Sequence, residues 1–320
     1  MSLKKYISIA LAGLLAIAAF TGCAAKSKHT DHDKLSVVAT IFPSYDFARE
    51  ILGDKADITM LLHAGAEAHS YDPTPQDIIT IQNADVFIYV GGESDEWVNG
   101  VLESMDTAKM TIVTLMDCVE VVEEEVVEGM QDEEEPADGD EPEEPEYDEH
   151  VWTSPRNAKL IVQKLSDTFC AVDADNADAY TANTTTYLER LGELDDKFQD
   201  VLDNAARKTI VIGDRFPFRY FADAYGLEYF AAFPGCSTET EASAATVAFL
   251  IDKINAENIP VVFHIQLSNE KMANTISEDT GAKVLLLHSC EGITKAEFDA
   301  GKTYLDIMTQ NVDALREALN

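Results

Sequence analysis

The apolar positions of this chain fall into short runs separated by helical patterns. Runs over 35–41, 56–62, 84–90 and 110–115 are almost continuously apolar, and so are 208–213, 227–233, 259–265 and 283–288. Continuous rather than alternating runs of this length predict strands of a parallel sheet covered on both faces. Between them, 44–52, 74–82, 216–225, 241–257 and 269–280 carry helical spacing. Thr74-Pro75 and Asn269 are placed as helix-start residues. Four strands followed by four strands predicts an α/β protein of two βα lobes, each with a four-stranded, mainly parallel sheet.

One segment between the two sets has a different rhythm. Over 176–204, Tyr180, Tyr187, Leu188, Leu191, Leu194, Phe198, Val201 and Leu202 recur three and four apart. This is a single amphipathic helix of roughly 40 Å at ~1.5 Å per residue, longer than one lobe requires. It reads as a strut joining the lobes, the alternative being a long surface helix of one domain. The expected organisation is an N-terminal lobe over 35–175, a linking helix over 176–205 and a C-terminal lobe over 206–320.

The first residues follow another logic. Lys4 and Lys5 precede an apolar run over 7–20, which suits an export signal and is short for a membrane span. Phe20-Thr21-Gly22-Cys23 looks like a bacterial lipobox, so residues 1–23 are expected to be a signal peptide ending at a lipidated Cys23. Residues 24–34 form a polar tether carrying His29 and His32. An exported protein permits disulfides among Cys118, Cys170, Cys236 and Cys290. No Cys-x-x-Cys is present.

The formal net charge of −36 opposes binding to nucleic acid or an anionic membrane surface. Residues 120–149 hold 17 Asp or Glu and no Lys or Arg. A stretch so acidic, with prolines and few large apolar residues, reads as a mobile loop: a solvated spacer or a weak cation collector.

Candidate chemistry gathers where strands end. Open α/β sheets bind ligands beyond the carboxyl ends of their strands. His69 follows the second strand, His150 leaves the acidic segment, Asp214 and Arg215 immediately follow the fifth strand, and His288 ends the eighth. His69, His150, Asp214 and His288 are therefore the expected metal ligands, with His264 as the alternative to Asp214. Imidazoles with one carboxylate suit Zn²⁺, whereas Mn²⁺ favours more oxygen donors.

Several motifs carry a family resemblance that covers nearly everything from Leu35 to Asn320. They are His69-Ser-Tyr-Asp-Pro-Thr-Pro75, Asp148-Glu149-His150-Val-Trp-Thr-Ser-Pro155 and Phe218-Arg-Tyr-Phe-Ala-Asp-Ala-Tyr-Gly-Leu227. The chain resembles the zinc/manganese-type substrate-binding proteins of bacterial ABC importers, whose two lobes are joined by a rigid helix. The resemblance implies His69 and His150 as ligands. It implies a monomeric, lipid-anchored extracytoplasmic receptor that passes metal to a permease and its ATPase without catalysis. Two departures stand out. Arg215 occupies the place where the family usually has a third His or Glu ligand. His288 stands near the place of the usual carboxylate fourth ligand, as if imidazole and carboxylate had been exchanged. Arg215 is expected to pair with Glu239 or Glu241. Cys236 and Cys290 are expected near the cleft mouth as a disulfide, the alternative being thiolate ligands. The competing functions are a manganese receptor, a zinc-dependent hydrolase with Glu67 as base, and a metal-linked adhesin.

Overall fold

In a computed structural model of the chain, residues 34–130, 146–237 and 241–320 are described. The expected signal peptide, Cys23 and its tether up to residue 33, residues 131–145 of the acidic segment, and Glu239 lie outside them. From Lys34 onward the chain forms one compact unit.

Both expected sheets are present, and every strand pairing is parallel. The first contains β1 (Leu35–Ala39), β2 (Ala56–Met60), β3 (Val86–Tyr89) and β4 (Thr111–Thr114), in the order β2-β1-β3-β4. The second repeats that order as β6-β5-β7-β8, from β5 (Thr209–Arg215), β6 (Glu228–Phe233), β7 (Val261–His264) and β8 (Lys283–Leu286). Val37, Val38, Ala39, Val86, Phe87 and Ile88 are buried, as are Ile210, Val211, Ile212, Val261, Val262 and Phe263. This is the continuous apolar run expected of strands covered on two faces.

The helices are α1 (Phe42–Leu52), α2 (Pro75–Gln82), α3 (Glu96–Glu103), α4 (Pro155–Val172), α5 (Ala177–Asp203), α6 (Arg219–Tyr225), α7 (Ala244–Glu257), α8 (Lys271–Thr280), α9 (Lys295–Asp299) and α10 (Tyr304–Leu319). Thr74 caps α2 through a reciprocal bond with Asp77, and Pro75 takes the first turn, as the sequence predicts. The long amphipathic helix is α5, 27 residues long. It buries Tyr180, Tyr187, Leu191, Leu194, Phe198, Val201 and Leu202, and packs against α1, α4 and α10. One apolar cluster runs from Val37 and Phe47 through these α5 side chains to Ile210, Leu287 and Leu315. The two sheets therefore share a core through their helices. Opening one against the other would expose apolar surface at roughly 25 cal/mol per Å².

The acidic segment differs from the expected mobile loop at its two ends. Glu123 and Tyr147 form an antiparallel bridge. The Glu124 N–H donates to the Glu146 carbonyl at 2.9 Å, and the Asp148 N–H donates to the Val122 carbonyl at 3.0 Å. Backbone pairing supplies what the side chains cannot, and it fixes the approach to His150.

Candidate metal centre

Four side chains that could hold a metal ion converge at the carboxyl ends of the strands: His69, Glu149, His150 and Glu291. One ligand atom from each lies within 4.8 Å of the others. His69 comes from the loop after β2. Glu149 and His150 come from the returning end of the acidic segment, just before α4. Glu291 comes from the turn after β8. His150 and Glu291 are buried, and the His69 side chain is only 5% exposed.

Hydrogen bonds set the tautomer of each imidazole. The buried His150 has its Nδ1 3.1 Å from Asp148 Oδ1, and the same oxygen accepts the His150 backbone N–H at 2.8 Å. A carboxylate only accepts, so Nδ1 carries the proton and Nε2 is left with its lone pair. That Nε2 is buried and has no hydrogen-bond partner. A buried polar atom left unpaired in this way is costly unless something fills the space beside it, and a metal ion would. On the other ring, the Ser94 hydroxyl donates to Glu149 Oε1, which leaves it to accept from His69 Nδ1–H at 2.8 Å. Ser94 N–H also holds Glu149 Oε2 at 3.0 Å. In the neutral ring this leaves the lone pair on His69 Nε2. Carboxylates that orient ligating imidazoles through their second nitrogen are a recurrent feature of zinc sites.

Both Nε2 atoms face Glu291. Its Oε1 is 3.2 Å from His69 Nε2 and 3.9 Å from His150 Nε2. Donors about 2.0–2.2 Å from a tetrahedral zinc ion stand roughly 3.3 Å apart, so these separations bracket what zinc requires. The charges are mutually supporting. Burial alone would lower both imidazoles. For His69, Glu291 outweighs it and raises the pKa; for His150, Asp148 chiefly, with Glu291 and Glu149, raises it to about 9. Burial alone would raise Glu291, but His69 foremost, then His150 and Arg215, bring it down to about 2.

The surrounding backbone is shaped to this cluster. Trp152 Nε1–H donates to the Ser289 carbonyl at 2.7 Å, and the Tyr304 hydroxyl donates to the Trp152 carbonyl at 2.8 Å. The Tyr220 hydroxyl holds the Asp148 carbonyl at 2.7 Å. These bonds tie the His150 turn to the Glu291 turn and to α6.

The family described as ZnuA, zinc-uptake complex component A periplasmic, matches residues 37–318. The chain belongs to this family. The high-affinity zinc uptake system protein ZnuA of Bacillus subtilis is 33% identical over 312 residues, covering 97% of this chain and 96% of that protein. The zinc-binding lipoprotein AdcA of Streptococcus pneumoniae is 32% identical over 314 residues, covering 98% of this chain and 61% of AdcA. The chain thus spans about three fifths of the length of that relative. The crystal structure of the Zn(II)-bound ZnuA-like domain of Streptococcus pneumoniae AdcA has a TM-score of 0.74 at 29% identity, and covers 89% of this chain and 99% of that domain.

In this ZnuA-family chain the residues expected as ligands divide. His69 and His150 come together. His288 does not join them. Its Nδ1 accepts the Cys290 N–H at 2.9 Å and its Nε2 lies 4.0 Å from Glu297, while Asn311 brackets its backbone on both sides. The chain then turns at Cys290, whose φ of 67° lies in the left-handed region, and the side chain delivered to the site is Glu291. Asp214 is also outside the cluster. Its Oδ1 accepts the next residue's N–H at 2.9 Å, and it lines a cavity of about 300 Å³ beside His69. His264, the alternative, has its Nδ1 3.0 Å from the Ile265 carbonyl and faces Glu270 across 4.0 Å. Arg215 pairs with Glu67, not with Glu241.

Cys236 and Cys290 are both free thiols, not the expected disulfide. They occupy different surroundings: Cys236 stands among Glu149, Asp148 and Glu124, and Cys290 beside Asp46 and Glu297. Burial first, then these carboxylates, push both thiols well up, and neither belongs to the four-residue cluster. Cys118 and Cys170 are also free. Sequence reasoning passed over Glu149 and Glu291. Glu149 was legible as the neighbour of His150, and Glu291 as the first carboxylate after His288.

Proposed function

We propose that the chain is an extracytoplasmic zinc receptor that captures Zn²⁺ at His69, His150 and Glu291, with Glu149 as the fourth donor within reach. The observation that carries this reading is the convergence of two imidazole Nε2 atoms, each ring held through its Nδ1, on one carboxylate. Two nitrogens and two oxygens in a tight cluster suit a four-coordinate zinc ion. The zinc-named relatives support the same metal over manganese. Binding and release are the whole of the activity, with no bond made or broken. Cargo passes to an ABC permease driven by an ATPase, and the receptor is held at the membrane by lipid on Cys23. Among the described residues no helix is long and apolar enough to cross a membrane.

Elemental analysis and competition with a chelating dye test the reading. Purified protein should hold one zinc ion per chain, and His69→Ala and His150→Ala should each lose it. Retention of tight zinc by both variants would overturn the site. Mass spectrometry of the protein from its own membrane reads the lipid on Cys23, and zinc-limited growth with co-purification reads the permease.

A further inference from the structure

Arg215 closes β5 beside the His69 loop, and its surroundings give that guanidinium a definite task. β5 pairs regularly with β6 as far as Ile212, and the register shifts before Arg215. A bulge of this kind re-aims the side chains that follow it. Arg215 Nη2 lies 2.7 Å from Glu67 Oε1, and Nη1–H donates to the Ser237 carbonyl at 3.1 Å. The Arg215 side chain is only 12% exposed. Glu67 stands two residues before His69, on the same loop. Arg215 therefore ties the His69 loop to the end of β5, across the cleft between the sheets.

The two carboxylates beside Arg215, Glu67 and Asp214, are oxygen donors outside the four-residue cluster. Glu67, Asp214, Arg215 and His69 all line the cavity of about 300 Å³. That space adjoins a proposed metal ligand and has room for several waters, given about 30 Å³ each. A free carboxylate and water beside a His₂Glu₂ cluster would complete a six-coordinate, oxygen-rich shell, which Mn²⁺ prefers and Zn²⁺ does not need. A guanidinium cannot coordinate and cannot be deprotonated in a protein. Its fixed charge occupies Glu67 and sits next to Asp214.

We propose that Arg215 is a specificity-determining residue: its ion pair with Glu67 keeps spare oxygen donors off the metal and restricts the site to four-coordinate cations. The inference rests on the zinc-receptor reading above. It assigns selectivity to a non-ligating residue through exclusion of the competing geometry.

The test compares wild type, Arg215→Ala and Arg215→Met, each with the double change adding Glu67→Gln. The Met variants keep most of the side-chain volume and are read if the Ala variants do not fold. Zn²⁺ and Mn²⁺ affinities are measured by competition, and coordination number is read from the visible absorption of bound Co²⁺. Wild type should give the intense bands of four-coordinate Co²⁺. Loss of Arg215 should lower the Zn²⁺-over-Mn²⁺ preference by about tenfold or more, mainly through tighter Mn²⁺ binding, and weaken the Co²⁺ bands. Adding Glu67→Gln should restore the wild-type preference. An unchanged preference and spectrum in the folded single variant overturn the proposal, as does a double variant that keeps the manganese gain. Failure of wild type to bind zinc at all would instead strike the receptor reading.

Discussion

Oε1 of Glu291 lies 3.2 Å from Nε2 of His69, although the two residues come from different sheets and are separated by more than two hundred positions. The contact joins the loop after β2 to the turn after β8. Glu291→Ala should therefore reduce zinc affinity by more than the roughly 10–100-fold that changes to residues behind the ligands typically cost. His288→Ala, which removes a brace on the same turn and no donor, should fall within that 10–100-fold range. Asp214→Ala should stay close to wild type. Titration calorimetry at one pH ranks the three, and a larger loss at His288 than at Glu291 would refute the assignment.

That ranking also marks how far the site was legible in the sequence. The sheets, the long amphipathic helix α5 and the capped start of α2 follow from local patterns of apolar and turn residues. His69 and His150 follow from strand-end position and from their flanking motifs. The end of the eighth strand is expected to bring His288 into the cluster, whereas a left-handed turn at Cys290 places Glu291, three residues on, beside His69 and His150. Such a conformation at a non-glycine residue has no local sequence signal. The expected mobility of 120–149 failed at both ends for a related reason: the backbone pairing of Glu123 with Tyr147 is not written in side-chain polarity.

Protons and zinc compete for the two imidazoles, so affinity should depend steeply on pH. His150 is raised to about 9 and His69 is raised above its ordinary value in the metal-free protein. Zinc needs both neutral. Its affinity should climb from pH 6 to about 9 and flatten above. Stability without metal should run the other way on the alkaline side. A raised His150 contributes stability fully present below its unfolded value of about 6.5, and lost as pH rises through about 9. Glu291, lowered to about 2, contributes above about 4.5 and loses that contribution as pH falls through about 2. Melting curves with and without zinc should diverge increasingly from pH 6 to 9; a constant gap would contradict this coupling.

Residues 131–145 hold most of the remaining acidic segment but none of the four converging donors. Replacing them with a short Gly/Ser linker between Met130 and Glu146 should leave one tight zinc ion per chain. Removing the flanks as well should not be silent, because Glu124 accepts the Cys236 N–H at 2.9 Å and Val122 bonds Asp148 beside His150. Equal zinc affinity for the short and the extended deletions would show that the paired ends do not support the site.

Gly92 offers a test of Glu149 that removes no polar side chain. A Cβ on Gly92 would lie 2.2 Å from Glu149 Oε2 and 2.3 Å from its Cβ, so Gly92→Ala must push Glu149 aside. The Ser94 N–H and hydroxyl then lose their acceptor, and the hydrogen bond that fixes His69 loosens with them. Zinc affinity should fall by roughly 10–100-fold, the usual scale for disturbing groups behind a metal ligand, and by more if Glu149 also ligates. The control is Gly100→Ala in α3, where a Cβ meets nothing within 4 Å. There the exchange should leave affinity unchanged and stabilise the helix by about 0.5–1 kcal/mol. If Gly92→Ala binds zinc as tightly as the control, Glu149 neither holds the metal nor positions the residue that does.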